Sequence, residues 1–191
     1  MTTGQKPRHA VSRIPADGGH PCTPDVELAP LAPEHAGATA GWTADPVVAR
    51  GIGLRTTPTV QSTREWIERA VEDPAVQPFA VLAGGQHVGN VVLDMVDAYL
   101  GTARLSIYVG KPEARGAGVA QRAIGSVVAY AAGELRLHKL WLIVHTANAP
   151  AIAAYERCGF VAEGVLRDEF LLDGERADVV RMGLILDDRG T

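Results

Sequence analysis

The chain has 191 residues, 47% apolar and 21% charged, the balance of one globular domain rather than of a disordered or fibrous chain. A formal charge of -4 supplies no basic field for a phosphate backbone, so nucleic acid is not an expected partner. The longest apolar stretch, Ile124 to Ala132, reaches about half the length a bilayer requires, so a soluble protein with no membrane partner is expected.

Residues 1–24 carry Pro7, Pro15, Gly18, Gly19, Pro21 and Pro24 with few large apolar side chains, and read as a flexible tail before a domain of residues 25–187. The opening Met1-Thr2-Thr3-Gly4 lacks the charged start and apolar run of a secretion signal, which implies the cytoplasm. Val26, Leu28 and Leu31 predict a short strand, and Pro33 to Ala36 a helix start running toward Trp42. Asp45-Pro46 breaks and restarts the chain. Residues 51–60 are rich in Gly, Thr and Pro and read as a loop, with Arg50, Arg55 and Thr57 flanking or within it. A helix follows, with Ser62 or Thr63 as its cap and Trp66, Ile67 and Ala70 on one face.

Phe79 to Ala83 and His87 to Val96 read as two strands joined at Gly84-Gly85, a pair suited to a two-residue hairpin, with a third strand at Ala103 to Val109. A helix from about Gly116 to Gly133 turns Val119, Ala123, Val127, Val128 and Ala131 inward. Lys139 to His145 reads as a buried strand. A shorter helix spans about Ala149 to Cys158 with Gly159 past its end, and two last strands, Phe160 to Leu172 and Ala177 to Leu186, turn at Asp173-Gly174.

The first chemical signal is Arg115-Gly116-Ala117-Gly118-Val119-Ala120, set between a strand and a helix. Helix N-termini leave amide donors unpaired and carry positive dipole, and glycines let that backbone approach a pyrophosphate. The segment is not a dinucleotide-binding turn, since no parallel strand and ribose-binding acid follow, and it lacks the lysine and hydroxyl of a P-loop. About 30 residues on comes Asn148-Ala149-Pro150-Ala151-Ile152-Ala153-Ala154-Tyr155, leading into Gly159-Phe160. The two motifs, in this order and at this separation, resemble the GNAT acyltransferase superfamily over residues 26–186. Glu163-Gly164, Arg167, Phe170, Gly174 and Val180-Arg181-Met182 further resemble its spermidine, amino-sugar and ribosomal-protein alanine N-acetyltransferases.

The resemblance implies an α/β (α+β) fold, with a mixed, twisted sheet of six to seven strands flanked by about four helices. The sheet is expected to splay between the strand ending near Val109 and the strand ending near His145, with acetyl-CoA in the split. In the family the motif Q/R-x-x-G-x-G/A grips the CoA pyrophosphate, with Arg115, Gly118 and Ala120 in those places. The cofactor-binding set implied is Tyr108, Val109, Gly110, Arg115, Gly116, Ala117, Gly118, Val119, Ala120, Gln121, Asn148, Ala151 and Tyr155, and a homodimer is common among relatives.

Tyr155 is the implied catalytic residue, suited to donate a proton to the departing thiolate. An amine with a pKa near 10.4 is protonated at neutral pH, and freeing it costs about 4–5 kcal/mol, so a base or a water chain must take its proton. Many relatives carry a glutamate on the strand before the glycine turn, where this chain has Leu105; the candidates left are Asp94, Asp97, His145, Glu169 or water. Asp94 and Asp97, an odd number of residues apart, face opposite sides of a regular strand. Residues 42–65 hold only the acids Asp45 and Glu65, which favours a small amine such as an amino sugar over spermidine as acceptor, with a protein N-terminus left open. A CoA-binding domain without turnover is the rival reading. No metal site is expected from the six histidines, and neither Cys22 nor Cys158 reads as a disulfide partner or nucleophile.

Overall fold

The computed structural model describes residues 25–172 and 174–186. The segment 1–24, including Cys22, residue 187 of the expected domain and Asp173 of the last expected turn therefore lie outside the described residues. Seven strands form one mixed sheet: β1 (Val26–Pro30), β2 (Gln77–Ala83), β3 (Gln86–Asp97), β4 (Thr102–Val109), β5 (Lys139–His145), β6 (Val161–Leu172) and β7 (Glu175–Ile185). Their order is β1-β2-β3-β4-β5-β7-β6. Every neighbouring pair is antiparallel except β4 and β5.

The helices are α1 (Ala36–Thr43), α2 (Pro46–Gly51), α3 (Val60–Glu72), α4 (Val119–Gly133) and α5 (Ala149–Arg157). The larger core lies under α4, where Val119, Ala123, Ile124, Val127 and Ala131 meet Val91, Leu93, Leu105, Leu140 and Leu142 from the sheet. Burying the Val, Leu and Ile side chains of this set is worth about 1.5–3 kcal/mol each. A smaller cluster of Leu31, Ala36, Ile67 and Ala80 includes buried residues of α1, α3 and β2.

Local chemistry accounts for the elements. Gly84 and Gly85 have φ of 56° and 75°, the left-handed pair that a tight hairpin requires. Asp45 caps α2 by accepting from Val47 N at 2.9 Å, with Pro46 in the first turn, so the expected break becomes a short helix of its own. The cap of α3 is Thr59 rather than Ser62 or Thr63: Ser62 N donates to Thr59 Oγ1 at 3.1 Å and Thr59 N donates to Ser62 Oγ at 2.9 Å. Starting the helix earlier places Thr63, Ile67 and Ala70 inward and leaves Trp66 37% exposed.

Helix α4 begins at Val119 rather than Gly116, because Gly116 and Gly118 have φ of 78° and 73°, which a right-handed helix cannot hold. Its inward face includes Ile124 and Tyr130 as well as the expected set, with Val128 only partly buried. Strand β5 is not buried on both faces. Leu140, Leu142 and Val144 are buried, while Trp141, Ile143 and His145 on the other face are partly exposed.

The parallel pairing of β4 and β5 covers Thr102↔Lys139, Ala103↔Leu140 and Arg104↔Trp141 and then stops. Strand β4 stays paired with β3 up to Gly89↔Val109, and β5 with β7 up to His145↔Val179. The sheet thus opens where the resemblance places its split. Close packing fixes the end of β4: a Cβ on Gly110 would lie 2.1 Å from the Trp42 ring. Gly110→Ala is therefore expected to lower unfolding free energy by about 1–3 kcal/mol in urea titration, the usual cost of overpacking.

Candidate functional site

One cavity of about 500 Å³ opens beside the split. It is lined from β4 by Ile107, Tyr108 and Val109, from the turn and α4 by Ala114, Arg115, Gly116, Gly118, Val119, Ala120, Gln121 and Ile124, and from α5 by Asn148, Pro150, Ala151, Ala154, Tyr155 and Arg157. Eleven of the thirteen residues expected from the sequence are among them; Gly110 and Ala117 are not. Gly110 faces Trp42, and Ala117 packs on the core. Ile124 and Ala154 follow from helical spacing, since each lies one turn from an expected residue, Ala120 and Ala151. Ala114, Pro150 and Arg157 carry no comparable signal.

The geometry assigns distinct parts to the motif residues. Gly118 is the N-cap of α4, and around Gly116 an added Cβ would meet nothing within 4 Å, so the turn presents open backbone at a helix N-terminus. The Arg115 side chain bonds back to the end of β4. Its Nε donates to Val109 O at 3.0 Å and its Nη2 to Gly110 O at 2.9 Å, and it lies 3.7 Å from Asp45. The arginine thus ties the end of β4 to the turn, and the exposed ion pair with Asp45 adds about 0–1 kcal/mol.

Asn148 caps α5, its Oδ1 accepting from Ala151 N at 3.2 Å. Seven residues are two helical turns, so this cap fixes where Tyr155 points. Burial, with a smaller contribution from nearby Cys158, pushes the Tyr155 phenol up to about 12, and its ring packs edge-on against Phe160 at 5.9 Å. Such a phenol stays protonated at physiological pH.

Tyr108 reaches the cavity while its hydroxyl lies in a polar network. Asn90 Nδ2 donates to Tyr108 Oη at 2.7 Å and to Thr39 Oγ1 at 2.9 Å, and Asn90 Oδ1 lies 2.7 Å from His87 Nε2. The His87 ring packs edge-on to Trp42 and His35 at 4.7 and 4.6 Å. Burial holds the Tyr108 phenol at about 12 and lowers the His87 imidazole from 6.5.

A second cavity, about 80 Å³, adjoins the split and is lined by Gly51, Ile52, Arg104, Leu105, Ser106, Ile143, His145, Phe170 and Val179. The two cavities follow each other along β4, residues 104–106 in one and 107–109 in the other. Among the described residues, none lining the smaller cavity is a carboxylate. Asp94 is held by Arg104 in a two-point pair at 2.7 and 2.6 Å. Asp97 Oδ1 accepts from the amides of Tyr99 and Leu100 in the following turn. The register shift between Asp94 and Asp97, with Met95 at φ 50°, breaks the strict alternation expected there. Glu169 is exposed on β6 and lines neither cavity. His145 lines the smaller cavity, edge-on to Phe170 at 4.7 Å. Among the described residues no helix is long and apolar enough to cross a membrane, and no cluster of three His, Cys, Asp or Glu could hold a metal.

A split sheet with a glycine turn at a helix N-terminus on one side and a capped tyrosine helix on the other has open backbone amides of the kind that suit a pyrophosphate. The acetyltransferase (GNAT) domain family matches residues 25–161, and the chain belongs to that family of acetyl-CoA-dependent N-acetyltransferases. Among curated proteins it is 34% identical to the spermidine N(1)-acetyltransferase of Vibrio cholerae serotype O1 over 122 residues, 63% of this chain and 70% of that one. The structure of spermidine N-acetyltransferase from Vibrio cholerae in complex with CoA and spermine superposes with a TM-score of 0.80 at 26% identity, covering 84% of this chain and 95% of that one. A dodecameric structure of the Vibrio cholerae enzyme gives 0.73 at 27% identity, covering 84% and 94%.

Because burial depresses the folded-state basicity of His87, the unfolded chain takes up its proton first on acidification. Stability from this group is present above about pH 6.5 and is lost as pH falls from there through the folded-state value. His87→Gln, which keeps a donor for Asn90 but does not titrate, is expected to lose less unfolding free energy than wild type between about pH 7 and about pH 5, as read by urea denaturation.

Proposed function

We propose that the protein transfers the acetyl group of acetyl-CoA to a primary amine by direct attack, with Tyr155 as general acid. The observation that carries this reading is that Tyr155, fixed by the Asn148 cap, shares one cavity with the glycine turn. The turn and the N-terminus of α4 would take the pyrophosphate on backbone amides. The β5-facing edge of β4 from Leu105 to Val109, without a strand partner, would receive the acyl arm, so that a backbone donor steadies the oxyanion. The Tyr155 hydroxyl would protonate the leaving thiolate.

The relatives support a polyamine as the acceptor class, in place of the amino sugar that the sparse acids of residues 42–65 favour. The second reading, a small monoamine, draws its support from the smaller cavity, whose lining offers no carboxylate to match spread positive charge. The dodecameric neighbour supports self-association beyond a dimer, and the lack of a membrane-spanning helix among the described residues is compatible with action in the cytoplasm.

The test is free-thiol release from acetyl-CoA against polyamines, amino sugars, amino acids and N-terminal peptides. Polyamine turnover that falls at least tenfold in Tyr155→Phe supports both acceptor class and acid; binding of acetyl-CoA without turnover on any amine returns the chain to a non-catalytic CoA-binding domain. Because burial holds the phenol at about 12, kcat is expected to show no alkaline loss from Tyr155 below about pH 10.

A further inference from the structure

We propose that His145 is the general base that takes the proton of the acceptor amine, an inference that rests on the acetyl-transfer reading above. Three observations on the acceptor side of the split converge on it. First, His145 ends β5 where pairing with β4 has already stopped, and it lines the smaller cavity with Leu105 and Ser106, one residue along β4 from Ile107 of the larger cavity. It also lies three residues before Asn148 of the larger cavity. An acceptor held in the smaller cavity therefore lies against the imidazole and faces the donor side.

Second, His145 Nδ1 is buried and has no hydrogen-bond partner in the structure. Buried side-chain nitrogens are ordinarily paired, so this one carries a demand that the fold itself leaves unmet, on a residue that lines the cavity. The ring is held in place on one side by the edge-on contact with Phe170. The backbone beneath Phe170 is irregular, with Asp168 at φ 53° and a register shift between Leu166 and Phe170. Bulges of this kind re-aim side chains next to functional sites.

Third, the other candidate bases are engaged or distant. Asp94 is committed to Arg104, Asp97 to the β3–β4 turn, and Glu169 lies outside both cavities. Leu105 stands on β4 where no proton can be accepted.

Arg104, paired with Asp94, lines the same cavity from β4, while Arg181 on β7 sits opposite Ile143, stacked over Trp141 at 4.2 Å and 3.5 Å from Glu163. Gly51 at the end of α2, Ile52 just past it and Phe170 of β6 are among the other residues lining the cavity. Among the described residues, no carboxylate lines the cavity around the ring. The protons balance as follows. The ammonium gives one proton to the imidazole, and the neutral amine nitrogen bonds to the acyl carbon. The carbon–sulfur bond breaks, the thiolate takes the Tyr155 proton, and the second amine proton returns through solvent to Tyr155. One proton is released overall, from the imidazolium.

His145→Gln tests this in the full chain, read as acetyl-CoA affinity by calorimetry and as kcat/KM for the best acceptor across pH. Unchanged acetyl-CoA affinity, a fall in kcat of about 100-fold or more, and loss of the acid limb that an imidazole base imparts are the expected results. A variant that retains more than half of kcat with the same acid limb overturns the inference while leaving the acetyl-transfer reading intact. Wild type without turnover on any amine instead overturns that reading. If His145→Gln fails to bind acetyl-CoA, His145→Asn is measured by the same criteria, and retention of kcat there is equally decisive against the base.

Discussion

Strands β4 and β5 pair over three residues and then part, and the site depends on that parting. Each strand keeps its other neighbour, so separation costs the ladder only along one edge of each. Strand β4 is anchored by the Asn90–Tyr108 hydrogen bond and by Trp42 against Gly110, and β5 by seven residues of pairing with β7. Backbone groups left without a strand partner must bond elsewhere, and a ligand amide or carbonyl is a natural substitute. A cleft made in this way is rigid at its walls and polar at its edges, which is what positioning a thioester for attack requires.

Two helix beginnings then face the opening, each made by a different device. At α4 a left-handed glycine turns the chain without placing a side chain over the amides; at α5 an asparagine caps the helix and sets its first residue. The first leaves backbone amides open at a helix N-terminus, the arrangement that suits an anion, and the second positions a tyrosine whose burial raises its pKa. Arg115 ties the turn to the end of β4 through the carbonyls of Val109 and Gly110, so the most conspicuous cation of the motif is engaged in holding one wall of the cleft.

Much of this was legible because it is local. Gly84-Gly85 demands a tight hairpin, and the seven-residue step from Asn148 to Tyr155 is two turns of helix whatever surrounds it. The glycine turn could be recognised for the same reason, and all but two of the expected donor-site residues line one cavity. What stayed hidden depends on partners distant in sequence. The direction of Arg115 is set by Asp45 and by the end of β4. The commitment of Asp94 to Arg104 needs the β3–β4 register, and the network from Thr39 through Asn90 to Tyr108 joins residues 51 and 18 apart. The cap of α3 was misplaced within one Thr- and Ser-rich stretch, where propensity alone does not separate Thr59 from Ser62 or Thr63.

The central claim, that the β4/β5 split receives acetyl-CoA, is tested most directly by hydrogen exchange of the full chain with and without the donor. The account predicts slowed exchange confined to residues 107–110, 116–121 and 148–155, with β1 and β2 unchanged. Protection that leaves these segments untouched, or that appears elsewhere in the sheet, would contradict it.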